Sequence, residues 1–271
     1  MQFDILIAPS MKSRPVRLME AFAASAERHS IDARTMRTYA PRAGSVLVVY
    51  GLGGKDRLPH AEAHQRAGGH YVAWDAGYWH RKELDRFYRV SIDGFHCPQR
   101  IGATEPDPAR WNASGLSITD RHHPQGDIVL VGNGPKSGAV GATGWAAAKA
   151  REIRAKLPGR RIIYRPKRYF VEPGVVADGV AMAIKIEKVL DMASLVVCRH
   201  SNVAIDACRL GIPVVCDDGA AAAIYPSRLE DEAQQPSEEA RRQFLHRVAW
   251  WQWSESEIAR GEPWPWLVRQ L

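Results

Sequence analysis

No run of this sequence approaches the roughly 18 consecutive apolar residues that a membrane-crossing helix requires, although apolar residues make up 45% of its 271 positions. A helical membrane span is thereby excluded. The first residues, MQFDILIAPS, lack the basic segment and long apolar stretch of a secretory leader and carry an acidic residue with a short strand-like run instead. We therefore expect a non-exported, cytoplasmic chain. Cysteine is scarce: Cys97, Cys198, Cys208 and Cys216 never stand in CxxC spacing, so neither a disulfide framework nor a zinc site is indicated, and reduced thiols in the core are expected. No His, Cys and carboxylate cluster has metal-ligand spacing, and no protein-bound metal is expected. Neither a Walker A loop nor an ordered GxGxxG is present.

What is present is a positive balance, +7 at neutral pH, which favours anionic partners such as nucleotides, nucleic acid or phosphorylated carriers. The densest basic run, 156–168, surrounds an apolar strand and suits a phosphate site better than a disordered arm. Short apolar runs rich in Val and Ile recur: FDILIA, SVLVVYG, HYVAWD, then DIVLVGNG, RIIYRP, SLVVCR and IPVVCDD. Continuous apolar runs of this length are strands of a parallel sheet covered on both faces. Helical patterns lie between them at 14–29, 144–156 and 203–210. The alternation falls into two series, separated by GATEPDPARWNASGLSITDRHHPQG, whose composition predicts a linker or mobile loop. The fold expected is α/β, with two Rossmann-like lobes facing a cleft and ligands at the carboxyl ends of the strands.

Candidate site residues fall at those ends. After SLVVCR come His200, Ser201 and Asn202, then VAIDACRL and Gly211-Ile212-Pro213. Ser or Asn there caps a helix, and the same junction can hold an anion. Asn202 and Asp206, four apart, share a helical face. The segment SNVAIDACRLGIPVV resembles the donor-binding segment of GT-B glycosyltransferases, in which a Ser-rich turn opens a helix bearing an acidic residue, Ala, Gly and Pro. The resemblance implies that Asp206 stands where the family commonly has a Glu that contacts the donor ribose. Arg165-Pro166-Lys167 is similar to the basic strand end of polysaccharide-type members, and reads either as a phosphate grip or as a solvated strand end. The loop after DIVLV, with Gly132, Asn133, Gly134, Lys136 and Ser137, offers exposed N–H groups to a phosphate or is a plain glycine-rich connection. The resemblance implies no cofactor beyond a nucleoside diphosphate sugar, such as a UDP-sugar, acting as co-substrate.

In the first series HYVAW ends in Asp75, which reads as a general base for an acceptor hydroxyl, or as a carboxylate that caps a helix or pairs with Arg81. His122 and His123 are a second, solvated pair of base candidates. Tryptophan is concentrated in 250–271, which holds five of the nine. Packing of this tail onto the first lobe explains that density better than base stacking, because Glu255, Glu257 and Glu262 accompany it. The tail also resembles those of phage-encoded proteins of the same two-lobed outline. The expected organisation is an acceptor lobe at 1–120, a donor lobe at 121–250 and the tail at 251–271. The expected activity is sugar transfer from a nucleoside diphosphate to a hydroxyl, a hydroxylated pyrimidine in phage DNA being one acceptor. A nucleotide-sugar epimerase and a non-catalytic nucleic-acid-binding module are the alternatives.

Overall fold

The computed structural model describes residues 1–53, 56–134, 141, 143–167 and 170–271. They make two compact units, Met1–Cys97 with Trp251–Leu271, and Pro98–Trp250.

The first unit begins with β1 (Gln2–Leu6), α1 (Ser13–Ser25), β2 (Asp32–Met36), β3 (Ser45–Tyr50), α2 (Arg57–Arg66), β4 (His70–Ala76) and β5 (Phe87–Ile92). β3 is buried from Ser45 to Val49, as a strand covered on both faces must be. β2 is different. Its sequence, DARTM, is largely exposed, and it stands at the sheet's edge, where polar side chains can face water. Asp4 of β1 is buried and therefore needs a cation; its register partner Arg34 supplies one at 2.6 Å. Leu18, Met19 and Phe22 form the buried stripe of α1.

The second unit contains α3 (Pro98–Ala103), α4 (Ala109–Ala113), β6 (Asp127–Val131), α5 (Trp145–Lys156), β7 (Ile162–Arg165), β8 (Gly179–Val180), α6 (Ile186–Leu190), β9 (Ala193–Cys198), α7 (Val203–Arg209), β10 (Val214–Cys216) and α8 (Glu238–Ala249). Its sheet has the order β10-β9-β6-β7-β8, with every pairing parallel. α5 covers it through Ala146, Ala150 and Ile153, and the small size of the two alanines lets the helix lie close over Ile128, Leu130 and Val197. The segment expected to be a linker is packed structure instead. Trp111 is buried, and the backbone N–H groups of Thr119 and Arg121 donate to Arg209 and Leu210 at 2.9 and 2.7 Å. A single buried indole anchors what its polar neighbours made look loose. The expected lobe boundary lay at residue 120; the compact units divide after Cys97.

The chain then returns to the first unit as β11 (Gln252–Ser254), α9 (Glu255–Arg260) and α10 (Pro263–Gln270). That unit's sheet reads β11-β5-β4-β3-β1-β2. Its β1 to β4 run parallel, and β5 and β11 add an antiparallel edge that the sequence reading did not contain. Ser254 and Glu257 form a capping box at the start of α9. Trp264 stacks on Phe22 with centroids 4.0 Å apart and meets Phe3 edge-on, while its Nε1 donates to Ser25 Oγ at 3.0 Å. Both demands of a buried indole, apolar contact and a partner for its N–H, are met. Among the described residues no helix is long and apolar enough to cross a membrane.

Candidate functional site

In the second unit β6 and β9 are neighbours, and the chain leaves them in opposite directions, to β7 and to β10. Such a switch point opens a crevice at the carboxyl ends of the two strands. Gly132, Asn133 and Gly134 follow β6; Arg199, His200, Ser201 and Asn202 follow β9. The Gly132 N–H donates to the Arg165 carbonyl at 2.8 Å, and a Cβ there would stand 2.4 Å from the Tyr164 hydroxyl. Only glycine lets this backbone lie against Tyr164. Asn133 is buried at 5% exposure, and its Nδ2 has no hydrogen-bond partner among the described residues. A buried amide donor left in this state is costly unless something else supplies the acceptor. The stem of Lys167 runs past Gly134, its Cδ 3.2 Å from where a Cβ would be, so the segments after β6 and β7 are brought together. Arg165 Nη1 donates to the carbonyls of Ala181 and Met182, which ties part of that guanidinium to the chain after β8. Lys136 and Ser137 lie outside the described residues.

The loop after β9 is fixed by the loop after β10. A Cβ on Gly219 would stand 2.9 Å from the Cα of His200, and Asp218 beside it has two partners. Arg199 Nε donates to its Oδ2 at 2.8 Å, and His200 Nδ1 lies 3.3 Å from its Oδ1. Burial works to raise the Asp218 pKa, but the hydrogen bonds from His200 and Arg199 outweigh it and hold the carboxyl below its ordinary value. Its neighbour Asp217 goes the other way: burial raises it, although Trp145 Nε1 donates to it at 2.5 Å and Lys149 lies 3.7 Å away. Sequence reasoning did not assign Asp217, Asp218, Trp145 or Lys149. The signal was there, since IPVVCDD ends in carboxylates just as HYVAWD does. Ser201 Oγ accepts the Val203 N–H at 3.3 Å. Asn202 is the N-cap of α7, and Asp206 sits in its first turn, half-buried.

No family model matches this chain, and no curated protein does. Among solved structures, the KpsC beta Kdo 2,7 transferase of Thermosulfurimonas dismutans is similar with a TM-score of 0.57 at 13% identity, over 97% of this chain and 99% of that one. The fold is GT-B-like. Two others are the beta Kdo 2,4 transferase of the same organism's KpsC, with TM-score 0.49, 12% identity and coverage of 92% and 91%, and the pneumococcal O-GlcNAc transferase GtfA in complex with UDP and GlcNAc, with TM-score 0.33, 10% identity and coverage of 94% and 60%.

In the first of the GT-B-like units Asp75 lies near the end of β4. Its Oδ1 accepts the Ala76 N–H at 2.8 Å, and its Oδ2 lies 3.3 Å from Arg89 Nη2. Arg89 is its cross-strand register partner on β5, so the ion pair is set by sheet geometry and its cation is Arg89. The Asp75 side chain keeps 37% of its surface exposed, which leaves the carboxylate open to a ligand. Around it stand Tyr50, whose pKa burial and then Asp75 push upward, and Arg57, whose pKa burial pulls down against the attraction of Asp75, Tyr50 and Asp56. Arg14 joins Glu255 at 2.6 Å and Tyr88 at 3.1 Å. These residues come from six separate elements, and apart from Asp75 at its strand end no local pattern marks them. His122 and His123 are exposed.

Proposed function

We propose that this chain is a nucleotide-sugar glycosyltransferase. The nucleoside diphosphate is held at the carboxyl ends of β6 and β9, and Asp75 receives the proton of the acceptor hydroxyl. The observation that carries the reading is the pair of loops at this switch point: they hold glycine backbone and an Asn133 amide without a partner among the described residues, and Lys167 and Arg199 stand in the segments after β7 and β9. Backbone N–H groups and cations at such a position accept phosphate oxygens. The likeness to a Kdo transferase in fold supports the same class.

In the step proposed, the acceptor oxygen bonds the anomeric carbon as the bond from that carbon to the diphosphate oxygen breaks. The electron pair leaves with the nucleoside diphosphate, and the hydroxyl proton passes to Asp75. Asp206 contacts the donor ribose from the first turn of α7. The net charge of +7 suits an anionic acceptor, and a hydroxylated pyrimidine in DNA is the polymer to test first, with transfer falling steeply as salt rises.

A thermal-shift panel of UDP, GDP, CDP, ADP and dTDP with their sugars tests the donor. At least one member should raise the Tm at concentrations well above its Kd, and Asn133→Leu should remove that shift while the unliganded protein keeps its circular dichroism. A panel with no stabilising nucleotide sinks the proposal.

A further inference from the structure

The first unit has a switch point of its own, between β1 and β3, from which the chain departs to β2 and to β4. A pocket of about 370 Å³ opens there, a volume at the lower end of the range of roughly 300–1,000 Å³ typical of small-ligand sites. Its walls come from the segments that follow β1, β2 and β3, and its polar lining includes Ser10, Arg37, Tyr39, Asp56, Arg57 and His60. Two of these groups are buried donors with nothing to bind: Arg57 Nε and Tyr39 Oη have no hydrogen-bond partner among the described residues. His60 is stacked on Tyr39 with ring centroids 4.6 Å apart, which fixes the orientation of both. Arg37 reaches Glu20 only at 3.7 Å and is 66% exposed. Arg57 and His60 stand in the first turn of the ten-residue α2, so the positive end of that helix faces the same space. The lining thus holds two guanidiniums and one imidazole against a single carboxylate, Asp56.

We propose that this pocket binds the acidic group, a carboxylate or a phosphate, of a monosaccharide-sized hydroxylated ligand, and, on the glycosyl-transfer reading above, that this ligand is the acceptor. Arg57 takes the anion through the Nε that the fold leaves unused, Tyr39 donates its hydroxyl, and Asp56 is left to accept from a ligand hydroxyl. Arg57 is also electrostatically coupled to Asp75 and Tyr50, so the group that neutralises the ligand's charge is the one that senses the proposed base.

The test is isothermal titration of the intact chain with glucuronate, glucose 6-phosphate and glucose. One or both anions should bind, the two arms telling carboxylate from phosphate, with glucose at least about tenfold weaker, as expected when a charge-assisted hydrogen bond is lost. Arg57→Gln should weaken the anion by a similar factor and leave nucleotide affinity unchanged. Arg37→Gln, at an exposed position, is the companion variant should Arg57→Gln fail to fold, and it too should weaken the anion. Glucose binding as tightly as the anions, no anion binding, or variants that bind like the wild type would overturn the proposal. Anion binding in a chain that takes no nucleotide sugar would keep the pocket and remove the acceptor assignment, so the two readings fail separately.

Discussion

The carboxyl edge of the first sheet is lined by charged side chains, Arg14, Arg57, Arg89 and Asp75, whereas that of the second combines glycines and short polar groups, Gly132, Asn133, Ser201 and Gly219, with the cations Lys167 and Arg199. The long side chains are held by partners from distant strands or from the returning tail, as Asp75 is by Arg89 and Arg14 by Glu255. At the second edge backbone packs against backbone and ring, Gly219 on His200 and Gly132 on Tyr164. An edge of the second kind presents N–H groups at fixed positions, which suits phosphates common to many donors. An edge of the first kind presents individual charges, which suits selection of one ligand and activation of its hydroxyl.

Four substitutions would break or sharpen that contrast. The largest effect is expected at Asp75, where Asn should lower turnover by about 10²–10⁴-fold, the range for loss of a general base, with nucleotide affinity preserved. Steady-state kinetics beside nucleotide titration decides it, and near-normal turnover would leave Asp75 only its structural pairing with Arg89. Next is Trp264, buried against Phe3 and Phe22 in the core of the first unit. Trp264→Ala should cost about 3–5 kcal/mol in urea unfolding, and a cost well below that would show that the returning tail is not part of this core. The smallest effects are expected at Asp217 and Asp218. Asp218 has a folded pKa below its ordinary 3.8, so its contribution is full above 3.8 and is lost as pH falls through the folded value. Asp217 has a folded pKa above 3.8, so stability declines as pH rises from 3.8 through that value. Asp218→Asn should therefore lower the unfolding free energy from urea titration at neutral pH by about 1 kcal/mol or less, because the group is partly exposed, with the difference fading on acidification. Asp217→Asn should match or exceed the wild type at neutral pH and still offer Trp145 an acceptor. The same sign of change in both variants would show that the two neighbouring carboxylates share one environment.

The buried parallel strands were legible because burial on both faces writes itself as a continuous apolar run: SVLVVY and SLVVC became β3 and β9. β2 was not, since an edge strand needs no apolar run, and DARTM carries its one buried-charge partner, Arg34, without any periodic mark. β11 escaped notice because three residues, QWS, become a strand only when β5 is there to pair with them. The site divides the same way. Gly132, Asn133, His200 and Ser201 are adjacent in sequence to strand ends and could be named from it. Arg57, Tyr39 and Arg89 acquire their roles only through neighbours supplied by other elements.

The return of β11 to the first sheet has a consequence for how the molecule is made. Residues 98–250 form a compact unit whose strand pairings, among the described residues, lie within it, so it can reach its final structure while the chain is still being synthesised. The first unit, although translated earlier, waits for Trp253 and Trp264 before its edge is covered and its core filled. In the interval β5 carries an unpaired edge and Phe22 an empty neighbour, which makes the nascent N-terminal segment the part of this protein most in need of a chaperone.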